Sequence, residues 1–351
     1  MSTSIPGPAG STSEIQDFVA ALPKVELHVH LVGSASIDTV TSLARRHPAN
    51  GVPTDRESLS AWYEFIDFMH FADVYGQVSR LVRDGADVIA LVISLARSLA
   101  LSNVRYAEVT VTPLSHLATD IEPDELAEAL TIGRRRAADE HGVQLAWVFD
   151  ISGDLGVQAA ADTLRWVLKH EPEGTVGFGL GGPEAGVPRS PFKPAFDEAI
   201  SAGLHSVPHA GESAGPESIW AALRDLRAER IGHGIRSVED PVLLDYLARN
   251  RVPLEVCPIS NLRTGQIASL PDHPLPKLLE AGVPVTLATD NPGIFGTDLN
   301  REYRLCYEAL GLSRSHLVDI ALMGLDAAFC PVDLRRQLAA EINHDFPQRR
   351  H

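Results

Sequence analysis

The sequence predicts an α/β fold, a closed (β/α)8 barrel of the TIM type, from two observations. Eight short apolar runs bounded by turn residues recur along the 351 residues, and the stretches between them have helical patterns. Strands that alternate with helices form parallel βαβ units. Eight such units favour a closed barrel over an open, doubly wound sheet. Barrels of this kind use about 250 residues or more as one domain, so we expect residues 1–351 to form a single domain.

The eight runs give the predicted strands. They are Val25–Leu31, Val104–Val111, Val143–Ile151, Thr175–Leu180, His205–Ala210, Arg230–His233, Val252–Val256 and Pro284–Thr289. Helices are expected between them, for example at Asp124–His141, Val157–His170 and Pro216–Ala228. An aromatic-rich insertion, residues 50–75, follows the first strand. Residues 1–20, rich in Ser, Pro and Gly, are expected to be flexible.

Charge and composition narrow the class of partner. The chain has 30 Lys and Arg residues against 46 Asp and Glu residues, a net charge of −16. Such an acidic protein is a poor candidate for binding nucleic acid or anionic membranes. We find no apolar run of the roughly 18 residues that a membrane span needs and no secretory signal. Three scattered cysteines fit a reducing compartment, so a cytoplasmic location is expected.

The residues that end the predicted strands carry the chemistry. The first run ends in His28-Val29-His30, the fifth reaches His209, the sixth ends at His233, and Asp290 follows the eighth. In a (β/α)8 barrel the active site lies at the C-terminal ends of the strands. Polar residues from strands distant in sequence therefore meet at one predicted end, which predicts an active site there.

The histidines suggest a metal site. His28 and His30 are two residues apart on a strand, so their side chains share a face. With His209 and Asp290 they make a set of three nitrogens and one oxygen that suits Zn²⁺, although nickel, cobalt or iron could also occupy it. A lone histidine is more often an ordinary core residue; the combination favours a metal.

Two further residues suit acid–base chemistry. Glu212 lies three residues after His209, where a partly dry pocket would raise its pKa and let it donate a proton. Its alternative role is an acidic residue at a helix N-terminus. His233, between Gly232 and Gly234, has room to approach and orient a metal-bound hydroxide; its alternative role is an ordinary barrel histidine.

Six motifs in order, from residue 23 to about Tyr303, make the chain resemble the adenosine deaminase family of the amidohydrolase superfamily. They are Pro-Lys-Val-Glu-Leu-His-Val-His-Leu (23–31), Leu-Gly-Gly (180–182), His-Ala-Gly-Glu (209–212), Arg-Ile-Gly-His-Gly (230–234), Glu-Val-Cys-Pro (255–258) and Thr-Asp-Asn-Pro (289–292).

The resemblance implies a zinc-dependent hydrolysis of a 6-aminopurine nucleoside. One zinc per chain would be held by four ligands, and the activated water would attack C6 to release ammonia. Glu212 would protonate N1, His233 would orient the hydroxide, and Asp290 would pass the water proton on. The Gly182 N–H would face N3. The insertion corresponds to a lid. The implied ligands are His28, His30, His209 and Asp290, and the implied hydrophobic lid contacts are Trp62 and Ile66.

Two departures from the family pattern bear on the substrate. Val32 stands where adenosine deaminases have an acidic residue that binds the ribose hydroxyls. We infer a substrate substituted at the 5′ position, unless the change is neutral and adenosine is retained. Asn291 replaces the family's second aspartate; its amide can donate to purine N7 without needing a proton, which preserves purine recognition.

The stretch His-Leu-Val-Gly-Ser (30–34) with Thr-Asp-Asn-Pro resembles the aminodeoxyfutalosine deaminase branch of the family. That branch implies conversion of 6-aminodeoxyfutalosine, whose 5′ side ends in an aryl ketone with a carboxylate, to futalosine in menaquinone biosynthesis. The loop Thr112–Thr119 is a candidate contact for the carboxylate. Alternatives are deamination of adenosine or 2′-deoxyadenosine, of methylthioadenosine or adenosylhomocysteine, and, with less support, of adenine. A non-catalytic purine-binding protein or another metal-dependent hydrolase is a further alternative. The oligomeric state is not predicted.

Overall fold

Eight parallel strands form one sheet in the computed structural model, which describes residues 12–48 and 51–347. They are β1 (Lys24–His30), β2 (Val104–Val111), β3 (Gln144–Phe149), β4 (Thr175–Leu180), β5 (His205–Ala210), β6 (Ile231–His233), β7 (Leu254–Val256) and β8 (Val285–Leu287). Each strand overlaps its predicted apolar run, and the sequence prediction of eight strands is confirmed.

The strands pair with their neighbours in chain order, from β1 to β8. The ring is completed where Val29 on β1 bridges in parallel to Asp290, just after β8. The His30 N–H donates to the Asp290 carbonyl oxygen at 2.8 Å, and the Asp290 N–H donates to the His28 carbonyl oxygen at 2.9 Å. The predicted (β/α)8 barrel is therefore confirmed, and all the C-terminal strand ends face one rim.

Helices alternate with the strands. They are α1 (Thr12–Ala21), α2 (Ile37–Arg46), α3 (Arg56–Trp62), α4 (Phe68–Ser79), α5 (Gly85–Leu101), α6 (Pro113–Leu117), α7 (Pro123–His141), α8 (Gly156–His170), α9 (Lys193–Ser201), α10 (Pro216–Asp225), α11 (Pro241–Asn250), α12 (Pro258–Arg263), α13 (Leu275–Glu280), α14 (Pro292–Phe295), α15 (Leu299–Glu308), α16 (Arg314–Ala327) and α17 (Val332–Asp345). Among the helices of the described ranges, none has the length and apolar character that crossing a membrane requires.

The helix boundaries follow from local sequence signals. Helix α7 has Pro123 in its first turn, where the missing N–H costs nothing. It ends at His141 and is capped by Gly142, which has φ 68°, a left-handed conformation that glycine adopts without steric penalty. The helices predicted in the sequence at Asp124–His141 and Val157–His170 are found as α7 and α8, each beginning one residue earlier.

The N-terminal region differs from its prediction. Residues 12–20 belong to α1 and are not a flexible segment. Ile15 and Val19 on this helix are buried in the main hydrophobic core, and Val19 has no exposed surface. Their apolar side chains hold the helix against the barrel, a contact that the Ser- and Pro-rich beginning of the chain conceals. Residues 1–11 lie outside the described residues.

The aromatic-rich insertion forms α3, α4 and the turn between them; its first residue, Asn50, lies outside the described residues. Phe71 on α4 packs against the ring of Phe65 at 5.6 Å between centroids and against Phe295 at 4.9 Å. Because Phe295 follows β8, these contacts hold the insertion over the C-terminal rim of the barrel.

Candidate active site

Buried polar side chains on strands β1, β5 and β6, and one just after β8, meet at the C-terminal rim of the barrel. The five are at most 9% exposed, and they are His28, His30, His209, His233 and Asp290. They come from parts of the chain up to 262 positions apart (290 − 28). The barrel brings together the residues that the strand-end motifs predicted would meet.

Four of these residues form a compact set of metal-binding donors. The donor nitrogens of His28, His30 and His209 all lie within 4.8 Å of one another. Asp290 Oδ1 is 3.3 Å from His30 Nε2 and 3.6 Å from His28 Nε2. The buried His28 Nε2 has no hydrogen-bond partner among the described residues. Since buried polar atoms are normally paired, this set of nitrogen and oxygen donors fits a metal ion.

The electrostatics of the histidines favour a cation at this position. Burial lowers the pKa of His30 and of His209, and lowers that of His233 to about 3, so these rings are neutral at pH 7. Neutral imidazole is the form that binds metals. For His28, burial is outweighed by the carboxylates of Asp290 and Glu255, which raise its pKa to about 10. Those carboxylates would stabilise a bound cation in place of the proton.

His28 is oriented by a buried ion cluster. Its Nδ1 lies 2.8 Å from Glu255 Oε2, and Glu255 Oε1 accepts a hydrogen bond from Arg230 Nε at 2.7 Å. Arg230 also pairs with Glu108. A carboxylate that accepts the Nδ1 proton leaves the other ring nitrogen, Nε2, to face the metal donors. Sequence reasoning missed Glu255, although it lies in the Glu-Val-Cys-Pro motif.

Asp290 and His233 have unusual backbones. Their φ angles are 59° and 62°, in the left-handed region that non-glycine residues rarely adopt. Such conformations cost roughly 1–3 kcal/mol each and persist where surrounding contacts impose them. For Asp290 those contacts include its barrel-closing backbone hydrogen bonds and a 2.6 Å hydrogen bond from Ser260 Oγ to Oδ2.

A hydrogen-bond chain sets the tautomer of His233. The backbone N–H of Leu275 can only donate, so His273 Nδ1 accepts, at 3.0 Å. The proton of His273 then lies on Nε2, 3.2 Å from Asn261 Oδ1. The Asn261 amide nitrogen therefore donates to His233 Nδ1, at 3.2 Å. Neutral His233 carries its proton on Nε2, the nitrogen 3.7 Å from Glu212 Oε2.

Glu212 is a buried carboxyl held in its protonated form. Burial, with smaller contributions from the charges of Asp290 and Glu184, raises its pKa well above the usual range. Its position is fixed by Glu184, whose carboxylate accepts hydrogen bonds from the backbone N–H groups of Gly211, Glu212 and Ser213 at 2.8, 2.7 and 2.9 Å. A neutral acid in a fixed position can donate a proton to a bound molecule.

The residues surround a cavity of about 560 Å³, within the size range of small-molecule sites. His30, His209, His233, Glu212 and Asp290 line its inner end. Of the predicted substrate contacts, Gly182 and Asn291 also line it, as does the loop 112–119 through Thr112, Leu114, Ser115, Ala118 and Thr119.

Close packing shapes the position of Asn291. A Cβ atom at Gly33 would lie 1.7 Å from Asn291 Oδ1, so glycine is required for this approach. Asn291 Nδ2 donates to Asp290 Oδ1 at 2.6 Å, which ties the predicted purine contact to a metal donor.

Three predicted substrate contacts do not line the cavity. Val32 is 3% exposed and lies in the hydrophobic core, Ile66 is 87% exposed, and the partly buried Trp62 packs against the core. The contact of these three residues with the substrate stays a prediction. Helix α4, which follows Ile66, supplies the cavity wall in their place. The side chains from α4 that do so include Phe68, Met69, Phe71, Ala72 and Tyr75.

The fold and this site are those of a hydrolase of the amidohydrolase type with a donor set that fits a metal ion, and the comparison with known proteins specifies the family. The profile of the family described as adenosine deaminase matches residues 23–345. The chain belongs to the adenosine deaminase family, and it is a hydrolytic deaminase.

Relatives with assigned activities cover nearly all of the chain. It is 49% identical to the aminodeoxyfutalosine deaminase of Streptomyces coelicolor, over 94% of this chain and 86% of that protein. It is equally 49% identical to the aminodeoxyfutalosine deaminase of Streptomyces avermitilis, over 94% and 93%. Identity to the adenine deaminase of Cupriavidus metallidurans is 33%, over 94% and 93%.

Solved structures share the architecture. The crystal structure of adenine deaminase from Arthrobacter aurescens has a TM-score of 0.90 at 28% identity, covering 93% of this chain and 100% of that one. The arabidopsis N6-mAMP deaminase has a TM-score of 0.83 at 28% identity, covering 95% and 100%.

Proposed function

We propose that this protein hydrolyses the 6-amino group of 6-aminodeoxyfutalosine, giving futalosine and ammonia, with one zinc ion per chain. The observation that carries the proposal is a single cavity that joins the buried donors and Glu212 to the loop 112–119. An adenosine-sized molecule with a large 5′ group needs such an extension. The 49% identity to two aminodeoxyfutalosine deaminases supports this substrate over adenine, whose deaminase shows 33% identity.

Zinc is proposed to be held by His28, His30, His209 and Asp290. It would supply Lewis-acid chemistry, since bound Zn²⁺ lowers the pKa of water enough to provide hydroxide near neutral pH. The supporting observations are the closeness of the four donors and the unpaired Nε2 of His28.

The remaining roles follow from hydrogen-bonding capacity. Glu212, buried and protonated, is proposed to donate its proton to purine N1, which makes C6 easier to attack. The Gly182 N–H is proposed to bind N3 and the Asn291 amide to bind N7. His233, with its proton on Nε2, is proposed to hold the attacking oxygen in position. Asp290 stays ionised, because contacts with the histidines lower its pKa despite burial, and it can accept the water proton.

The proposal is tested by kcat/KM for 6-aminodeoxyfutalosine, methylthioadenosine, adenosine and adenine, side by side, with zinc-loaded protein. We expect 6-aminodeoxyfutalosine to lead by at least tenfold, about 1.4 kcal/mol of transition-state discrimination. Glu212→Gln, which cannot protonate N1, should lose about 100-fold or more in kcat while keeping its metal. A preference for adenosine or adenine would overturn the substrate; full activity after complete metal removal would overturn the metal role.

A further inference from the structure

One face of helix α4 lines the cavity along its whole length, and the residue directly after the helix is the cationic Arg80. Residues three and four positions apart share a helix face, and the cavity-lining positions follow that spacing. They are Phe68, Met69, Phe71, Ala72, Tyr75, Gly76, Ser79 and, directly after the helix, Arg80. The lining changes from aromatic and apolar at the start of this face to charged at its end.

Among the residues that the structure describes, Arg80 is the one Lys or Arg side chain that lines this cavity. In the described part of the chain, no carboxylate lies within 4 Å of its guanidinium. Its Nη1 lies 3.7 Å from the position that a Cβ of Gly76 would take. Because Gly76 also lines the cavity, the charged group itself, and not only its aliphatic stem, lies at the cavity wall.

Helix α4 relates the position of Arg80 to that of the donor histidines. The Tyr75 ring lies 6.2 Å from the ring of the donor His30. The Cα atom of Arg80 comes five residues later, about 7.5 Å further along the helix axis at 1.5 Å per residue. Its exposed side chain turns back along the helix, so that Nη1 lies beside Gly76. The guanidinium thus lies at the cavity wall beside Gly76, towards the end of this helix face that is away from Phe68.

The wall opposite Arg80 comes from the loop after β2. Thr119 Oγ1 hydrogen-bonds to the Val82 carbonyl oxygen at 3.1 Å, which ties this loop to the turn just beyond Arg80. Leu114 and Ala118 add apolar surface, and the hydroxyl of Ser115 makes no hydrogen bond within the described residues. Within the described ranges, the lining near Arg80 thus combines apolar side chains, a cation with no carboxylate within 4 Å and the unpaired hydroxyl of Ser115.

We propose that Arg80 is a specificity-determining residue that binds an aryl carboxylate at the 5′ end of the substrate, with Ser115 as a second donor. The inference rests on the proposed function, which supplies a substrate with that carboxylate. Guanidinium pairs with carboxylate through two parallel N–H bonds, a geometry that a neutral side chain cannot reproduce. The apolar wall suits the aryl ring between the ribose and the carboxylate.

The test compares Arg80→Gln with the wild type on three substrates: 6-aminodeoxyfutalosine, its methyl ester and adenosine. We expect at least a tenfold loss of kcat/KM for the acid, from a higher KM at nearly unchanged kcat, since a contact remote from C6 binds ground and transition states alike. The kcat/KM values of Arg80→Gln for the ester and for adenosine should change by less than about threefold. Arg80→Lys should recover part of the loss. Arg97→Gln removes an exposed arginine on α5, outside the cavity, and is the matched control.

A measurement on the unmodified enzyme guards against a variant that fails to fold: the wild type should prefer the acid over its methyl ester by at least tenfold. Equal losses for acid and ester in Arg80→Gln, or no preference of the wild type for the acid over the ester, would overturn the role of Arg80 and leave the deaminase assignment standing. A wild type that prefers adenosine to 6-aminodeoxyfutalosine would instead overturn the proposed function and this role with it.

Discussion

The amide of Asn261 donates a hydrogen bond from Nδ2 to Nδ1 of His233, at 3.2 Å. The backbone N–H of Leu275 sets the direction of this bond. It donates to His273 Nδ1, which leaves the His273 proton on Nε2, and that proton orients the Asn261 amide with its oxygen towards His273. His233 is therefore neutral with its proton on Nε2, directed towards the reacting centre. The tautomer of a histidine in an active site is set by the partner of its other nitrogen, and here that partner is an amide.

Asn261→Asp keeps the side-chain shape but reverses the bond, because a carboxylate can only accept. It draws the His233 proton to Nδ1 and raises the pKa of the ring. We expect kcat to fall by tenfold or more with metal content little changed, and the melting temperature to fall, because the new carboxylate is buried. Asn343→Asp, an exposed position on α17, is the control. An Asn261→Asp enzyme with wild-type kcat would show that the tautomer of His233 does not matter.

Glu184 holds the loop that carries Glu212 through three backbone N–H groups and the hydroxyl of Ser218. In Glu184→Gln the new amide group must face at least one N–H donor, leaving buried groups unpaired. We expect the free energy of unfolding to fall by about 2 kcal/mol and kcat to fall by tenfold or more, with the metal retained. Denaturant unfolding measures the free energy of unfolding, steady-state kinetics measures kcat, and metal analysis measures the metal content.

The control for this prediction is Glu217→Gln. Glu217 is exposed at the start of α10 and accepts one backbone hydrogen bond, from Gly215 at 3.1 Å. Glu217→Gln should leave kcat within about twofold of the wild-type value. If Glu184→Gln destabilises the protein without changing kcat, Glu184 supports the fold and does not position Glu212.

Glu255→Gln addresses the orientation of His28. Glutamine cannot accept hydrogen bonds from both His28 Nδ1 and Arg230 Nε with its two terminal atoms, so either His28 loses its acceptor or Arg230 faces an N–H group. We expect metal affinity to fall by about 10- to 100-fold, the usual effect of removing a partner of a metal-binding histidine. Competition with a chelator measures it. Glu229→Gln, at a half-exposed glutamate paired with His205, should bind metal as the wild type does.

The sequence predicted the barrel and the convergence of its strand-end residues well, for a physical reason. A buried strand is a local apolar run, and parallel closure then places every strand end at one rim. Contacts across the rim have no such local signal. Glu184 and Asn261 are recognisable only once the loops they support are placed, and Arg80 only once α4 is seen to wall the cavity. The position of Val32 in its motif likewise does not reveal that its side chain is buried in the core.

Glu302, on α15, provides a pH test of the fold that does not involve the metal donors. Burial raises its pKa to about 8, despite hydrogen bonds from Thr297 Oγ1 and the Ile259 N–H, which lower it. Between pH 4.5, its ordinary pKa, and about 8, the folded protein holds a proton that the unfolded chain releases. Raising the pH across that window therefore favours unfolding, by roughly 5 kcal/mol at most.

Glu302→Gln removes this titration, because glutamine stays neutral and can still pair with both Thr297 and Ile259. We expect the stability of the wild type relative to Glu302→Gln to decline from pH 5 to pH 8 and to level off above it, since the titrations that both proteins share cancel in the difference. Urea unfolding at each pH measures this, with Glu308→Gln, exposed at the end of the same helix, as the control. A difference that stays constant from pH 5 to pH 9 would mean that Glu302 is already ionised in the folded protein, and that the hydrogen bonds from Thr297 and Ile259 outweigh its burial.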